Sequence, residues 1–257
     1  MTELIALTLT TASVNGVAPQ SLLVVGPPGS GKSALLERFA EPNDSAFNPT
    51  ARLMGNLSAW GLRSFLQLEA PRGVTHVIAP EMQTLFMRRA DTWASVEGIL
   101  LQAMAEGVGD YYNGPIPESY GKAKMGLVAA MTRDAYLRVR ADFARSGFSS
   151  RFLTVRWNPT HQQILAALRR SAEGKSKDLT KIALNLPRIR VDIEVPRRVR
   201  LLVLRYVEER FSGEMNRALG RFIALTQAAA LRRGVRRATS SDWKAVLEGE
   251  RFWTGEV

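Results

Sequence analysis

The chain contains no cysteine, which excludes disulfides and thiolate chemistry with metals or redox partners. Histidine is almost as scarce: His76 and His161 are the two present, and their separation argues against a histidine-ligated zinc centre. No apolar run approaches the roughly 18 residues that a membrane-crossing helix requires. The opening Met1-Thr2-Glu3-Leu4 has no basic flank of the kind that begins a secretory signal, so a cytoplasmic protein without a membrane partner is expected. Internal repeats and long low-complexity tracts are also missing. The remaining composition is that of a folded chain. Of 257 residues, 46% are hydrophobic and 23% charged, enough for one large domain or a core with a smaller satellite.

Acidic residues are the other shortage. With 24 Asp and Glu against 35 Lys and Arg, the formal net charge is +11. The excess is mostly arginine, grouped as Arg188/Arg190, Arg197/Arg198/Arg200 and Arg232/Arg233/Arg236/Arg237. Such a balance favours a polyanionic partner, with nucleic acid, DNA in particular, the leading candidate. Charge runs also mark solvated faces, and charge by itself supplies an electrostatic footprint, not a sequence reader.

The strongest feature is the octapeptide Gly26-Pro27-Pro28-Gly29-Ser30-Gly31-Lys32-Ser33, directly behind the apolar run Ser21-Leu22-Leu23-Val24-Val25. It is a complete G-x-x-x-x-G-K-[ST] loop in a strand-loop-helix context. The glycines let successive backbone N–H groups point inward, and the positive end of the following helix faces the same anion. Lys32 is expected to reach the β- and γ-phosphates of a nucleoside triphosphate such as ATP, and Ser33 to place its hydroxyl on Mg²⁺.

Residues 1–158 read as alternating strand and helix. Short apolar runs bounded by turn residues predict buried parallel strands at Leu22 to Val25, Thr75 to Ala79, Leu127 to Met131 and Phe152 to Arg156. Helices are expected over Gly31 to Ala40, Thr92 to Glu106 and Asp134 to Ser146, the last with Thr132 as N-cap. From Pro159 onward the pattern is helical: His161 to Arg170, Val199 to Phe211, Met215 to Arg232 and Ser241 to Gly249, the last capped by Thr239 or Ser240. Ala172 to Lys181 reads as a loop and Leu186 to Pro196 as a small ribbon. The stripe Trp60, Leu62, Phe65, Leu66 and Leu68 reads as core. The expected fold class is therefore an α/β core over residues 1–158, followed by a small mainly helical lid over 159–257.

Further segments extend the reading. They are Val74-Thr75-His76-Val77-Ile78-Ala79-Pro80-Glu81, Met125 to Thr132, Ser146 to Phe152, the helix bearing Arg217-Ala218-Leu219, and Arg236-Arg237-Ala238-Thr239-Ser240-Ser241-Asp242-Trp243. Taken in order, they resemble an AAA+ ATPase over nearly the whole chain. Ser150-Arg151-Phe152 and the Arg217 helix look most similar to the helicase and minichromosome-maintenance branch. The phosphate loop is the specific motif, and the others gain weight from order and spacing.

The resemblance implies an ATPase that uses Mg²⁺ and assembles as a homo-oligomeric ring. Glu81 matches the residue that orients the attacking water, a task that needs positioning more than covalent chemistry. Thr132 matches the first sensor of the γ-phosphate. Arg151 matches an arginine finger acting in trans on the neighbouring subunit's nucleotide. Arg217 matches a second sensor reaching from the lid to the γ-phosphate. Pro80 departs from the pattern, since the family carries an Asp there for magnesium. Magnesium would then depend on Ser33, phosphates and water, with Asp91 or Glu97 as substitutes, and hydrolysis could be slow. The interval before the Thr132 strand often carries a pore-facing hairpin in that branch, which makes Tyr111, Tyr112, Lys122 and Lys124 candidate contacts to a nucleic-acid strand. Three functions follow: a DNA motor or replication ATPase, a protein-remodelling chaperone, or an ATP-gated DNA-binding matchmaker with weak hydrolysis.

Overall fold

The computed structural model of the chain describes residues 1–40, 51–55, 57–86, 90–108, 111–112, 117–118, 122–173, 181–184, 186–187, 189–211 and 213–253. Helix α1 (Thr2–Thr10) precedes β1 (Ser21–Gly26), the phosphate-loop segment and α2 (Lys32–Glu37). Next come β2 (Ala51–Leu53), α3 (Ala59–Ser64), β3 (His76–Ala79), α4 (Gln83–Phe86) and α5 (Ala90–Ala103). Two short strands, β4 (Tyr111–Tyr112) and β5 (Pro117–Glu118), pair antiparallel. The α/β part closes with β6 (Gly126–Thr132), α6 (Arg133–Ser146) and β7 (Phe152–Arg156). Four helices follow: α7 (His161–Ala172), α8 (Arg197–Arg210), α9 (Met215–Arg232) and α10 (Ser240–Leu247).

Among the described residues, the main sheet has five strands in the order β2-β3-β6-β1-β7, and every pairing is parallel. Its central strands are buried on both faces, which is why they are continuous apolar runs instead of alternating ones. Successive side chains nevertheless enter different cores, as the two-residue strand period requires. Leu22 and Val24 of β1 pack with α1, α8, α9 and α10. Leu23 and Val25 face the opposite way, toward Leu62, Phe65, Val96, Leu100 and Phe143. The α/β part is thus a sheet covered by helices on both faces. Among the described residues, no helix is long and apolar enough to cross a membrane.

Two local expectations are corrected, and one strand goes unforeseen. Trp60 and Leu68 are 79% and 58% exposed, while Leu62, Phe65 and Leu66 are buried. At about 100° per helical residue, positions two before Leu62 and two beyond Leu66 point away from that triad. Among the described residues, the segment Leu186 to Pro196 does not pair with itself. Val191 bridges to Val14 and Glu194 to Arg237, so it runs between the stretch that follows α1 and the α9–α10 turn. Strand β2 was not anticipated; three residues at a sheet edge carry too little pattern to be seen.

Candidate functional site

Strand β1 delivers the chain to the loop at Gly26. There the backbone leaving β7 closes against it: the Trp157 N–H donates to the Val25 carbonyl at 2.7 Å. A Cβ on residue 26 would collide with the Trp157 carbonyl oxygen, so only glycine fits. Gly29 and Gly31 have φ of +67° and +79°, the left-handed region that side chains disfavour. The resulting curl surrounds Lys32, which is 7% exposed. Its Nζ donates to the Gly26 carbonyl at 3.0 Å, the Pro27 carbonyl at 2.6 Å and Ser30 Oγ at 3.2 Å. Burial holds the Lys32 pKa below its ordinary value. Trp157 Nε1 donates to the Ser30 carbonyl at 2.8 Å and fastens the loop from outside. Pro27 and Pro28 have no N–H, which leaves the backbone donors of the loop to Gly29 and the residues after it.

Two further elements meet this loop at the carboxyl edge of the sheet. Ser33 Oγ donates to the Pro80 carbonyl at 3.3 Å, so the loop helix touches the end of β3 where Glu81 follows, exposed, in the turn to α4. That turn is stitched to β6 twice: the Met82 N–H donates to the Ala130 carbonyl at 2.9 Å, and the Thr132 N–H to Gln83 Oε1 at 3.0 Å. Thr132 lies in register with Gly26 and caps α6, its side chain accepting from the Ala135 N–H at 3.3 Å. Residues Gly26 to Ser33, Glu81 and Thr132 are therefore brought together. Gln83 was not visible from sequence, because a Gln two positions past a turn carries no pattern.

Beside the loop lies a cavity of about 320 Å³ whose walls include Pro27, Pro28, Arg133, Asp134, Arg156 and Trp157. Sequence reading missed the last four. The available signal was a charged residue, Arg156, at the carboxyl end of a buried parallel strand, where ligands of open α/β sheets bind. Among the described residues, no group of three or more His, Asp or Glu could hold a metal. At Ser33 the neighbouring oxygen is the Pro80 main-chain carbonyl. A hard cation that keeps several waters and binds phosphate oxygens fits such a sparse oxygen set. Asp91 and Glu97 lie on α5, and neither lines the cavity.

Arg151 and Arg217 are placed elsewhere. Phe152 pairs with Ser21, so Arg151 stands at the amino edge of the sheet. Five residues of β1 separate that level from Gly26, about 16 Å at the usual strand rise. Arg151 donates from Nε to the Leu101 carbonyl at 3.1 Å and from NH1 to the Gly147 carbonyl at 2.6 Å. Arg217 donates to Ser150 Oγ and lies 3.7 Å from the Glu214 carboxylate. Burial lowers the Arg151 pKa, the Arg217 charge lowers it further, and Glu106 and Glu214 oppose them. The two arginines are brought to each other and not to the phosphate loop of their own chain.

The basic groups divide in the same way. Arg232 pairs with Glu3 at 3.0 Å, Arg233 with Asp242 at 2.7 Å and Arg237 with Glu194 at 3.6 Å. Arg200 donates to the Val195 carbonyl at 2.9 Å. Arg190, Arg197, Arg198 and Arg236 are exposed, and Arg188 lies outside the described residues. In the interval before β6, Tyr111 stands opposite Glu118 and Tyr112 opposite Pro117, with Lys122 and Lys124 exposed beyond them. Compared with known proteins, the chain matches no family model, and no curated protein is significantly similar to it.

Proposed function

We propose that this chain is an AAA+-type ATPase that binds ATP with Mg²⁺ on the Gly26 to Ser33 loop, hydrolyses it, and works on DNA as a ring-forming motor or replication ATPase. One observation carries the reading: the loop, the Glu81 turn and Thr132 are joined at one edge of the sheet by Ser33 to Pro80, Met82 to Ala130 and Thr132 to Gln83. Strand β6 runs between β1 and β3. A hydroxyl at its end can address a terminal phosphate and a water held by Glu81 together. Lys32 and the N–H groups from Gly29 onward would hold the phosphates, and Ser33 the metal, whose chemistry is to neutralise charge on the β- and γ-phosphate oxygens.

The amino-edge position of Arg151 supports a role in trans, since it is too far from its own loop to touch a phosphate there. Arg217 belongs with it, and we assign both to the phosphate of a neighbouring copy in place of a lid contact in cis. Net charge of +11 and the exposed Arg197, Arg198 and Arg236 support a nucleic-acid partner. A second reading, an ATPase that remodels proteins, is favoured by the pairing of Arg232, Arg233 and Arg237 with carboxylates, which removes part of the basic surface.

The test combines calorimetry with turnover in the presence of single-stranded DNA, duplex DNA or neither. Lys32→Ala should abolish most ATP affinity with the fold intact, and Glu81→Gln should keep affinity while lowering turnover roughly ten-fold or more. Unchanged affinity in Lys32→Ala would remove the nucleotide assignment. Turnover indifferent to every DNA added would transfer the preference to a protein substrate.

A further inference from the structure

Arg221 stands one helical turn beyond Arg217 on α9, on the same face. Its NH2 donates to the Ser150 carbonyl at 2.6 Å, while Arg217 donates to the Ser150 hydroxyl. Ser150 is buried, and its hydroxyl in turn donates to the Gly147 carbonyl at 2.7 Å. Arg151 follows immediately and grips the same Gly147 carbonyl at 2.6 Å. Two guanidinium groups from α9 therefore hold the middle of one short turn, Ser149–Arg151, while that of Arg151 holds the Gly147 carbonyl just before it.

Arg221 is an expensive way to make one hydrogen bond. Its Nε is buried and has no partner among the described residues. No carboxylate among the described residues lies within ion-pair distance of it. Burial draws its pKa down to about 10, against the opposing charge of Glu214 and with the added repulsion of Arg217. An apolar side chain of similar reach would fill the space without desolvating an incompletely bonded charge. What the arginine provides, and an apolar group cannot, is the bond to the carbonyl directly before Arg151.

We propose that Arg221 is a positioning residue for Arg151: through the Ser150 carbonyl, α9 holds the Ser149–Arg151 turn and so sets where the Arg151 guanidinium stands against the Leu101 and Gly147 carbonyls. The inference rests on Arg151 acting on a phosphate bound by another copy. Arg221 itself touches no phosphate. A shift of α9 reaches the residue before Arg151 directly, through the bond from Arg221 to the Ser150 carbonyl.

Steady-state ATP turnover by the full chain tests this, with ATP affinity measured alongside by calorimetry, for Arg151→Ala, Arg221→Met, Arg221→Lys and the double variant Arg151→Ala/Arg221→Met. Arg221→Met should lower kcat roughly ten-fold or more, with KM and ATP affinity within about two-fold of the parent, the split expected when a group acting only in the transition state is misplaced. Arg221→Lys should recover part of the rate because an ammonium still donates to the carbonyl. The double variant should be no slower than Arg151→Ala, since residues acting as one unit are not additive. If Arg221→Met does not fold, Arg221→Gln, polar but too short to span the gap, should show the same loss of kcat. Parental kcat in the Met or Gln variant, beside a slow Arg151→Ala, overturns the positioning role and leaves the trans reading standing. Parental kcat in Arg151→Ala overturns the trans reading itself.

Discussion

His76 sits wholly inside the protein at the start of β3, 0% exposed, and its surroundings dictate its tautomer. The Gln20 carbonyl, 3.1 Å away, can only accept, so Nε2 carries the proton. Nδ1 then accepts from the Thr75 hydroxyl at 2.9 Å. Burial lowers the pKa to about 4 from 6.5, with the Gln20 bond opposing weakly. Well above pH 6.5 the ring is neutral folded or unfolded, and it adds no pH dependence. As pH falls below 6.5 the unfolded chain takes a proton that the folded chain refuses, so stability declines until about pH 4. Between pH 7.5 and pH 5 this amounts to about 2 kcal/mol. Urea unfolding at both pH values should show a loss in the parent that exceeds the loss in His76→Gln, whose amide can still donate to Gln20, by about that amount; equal losses in both chains would sink the assignment. The distance between the two histidines in sequence argues against a zinc centre, but nothing in the sequence says that Gln20 lies beside His76. Lys32 and Ser33 are readable because a phosphate loop is local, whereas Gln83 and Trp157 acquire their roles from contacts with residues 49 and 127 positions away.

Helix α10 shows how an element can be readable from its end. Thr239 and Asp242 form a reciprocal capping box, and Thr239-Ser240-Ser241-Asp242 is the pattern that announces one. The structure adds Arg233, whose Nε and NH2 both reach the Asp242 carboxylate, at 3.0 Å and 2.7 Å. Burial pushes the Asp242 pKa up, but the bonds from Arg233 and Thr239 outweigh it and hold the carboxyl below its usual value. Asp242→Ala should lower stability by about 0.5–2 kcal/mol, the range for a lost cap, and move the urea midpoint without changing the slope. An unmoved midpoint would show that the box holds nothing. Elements with strong periodicity were placed to within a few residues; Met215–Arg232 and Phe152–Arg156 were expected over the same bounds. Helix α1 was missed for a physical reason. It is buried at Leu4, Ile5, Leu7 and Leu9 and also at Thr8 and Thr10, whose hydroxyls donate to the Leu4 and Ala6 carbonyls at 2.8 and 2.7 Å. A helix buried all round has no polar face, and threonines that satisfy themselves internally disguise it as a strand or turn.

At the scale of the whole molecule, the change of architecture after β7 was visible in the sequence, while the sharing of one core across it was not. Amphipathic periodicity says that α8, α9 and α10 each bury a face, but not against what. In the structure, Val199, Val203 and Val207 of α8, Phe222 and Leu225 of α9 and Trp243 of α10 belong to the same buried cluster as Leu22, Val24, Val128, Ala130, Leu153 and Val155 of the sheet. A bond at the Arg233 end of α9, from Arg232 to Glu3 at 3.0 Å, ties this cluster's helices to α1 as well. Removing residues 159–257 would leave α1 and α2 to cover that face, and each large side chain returned to water forfeits about 1.5–3 kcal/mol. Only a few such losses match the whole stability of an ordinary domain, about 5–15 kcal/mol. The fragment 1–158 should therefore fail to unfold cooperatively and should bind a dye for exposed apolar surface, as chains with secondary structure but loose packing do. The full chain should unfold in one transition, with tryptophan fluorescence and far-ultraviolet dichroism coinciding, because Trp157, Trp243 and Trp253 all report on this one core. A fragment with its own sharp transition, at the midpoint of the full chain, would show that the sheet is stable without the helices and that the shared core adds nothing to it.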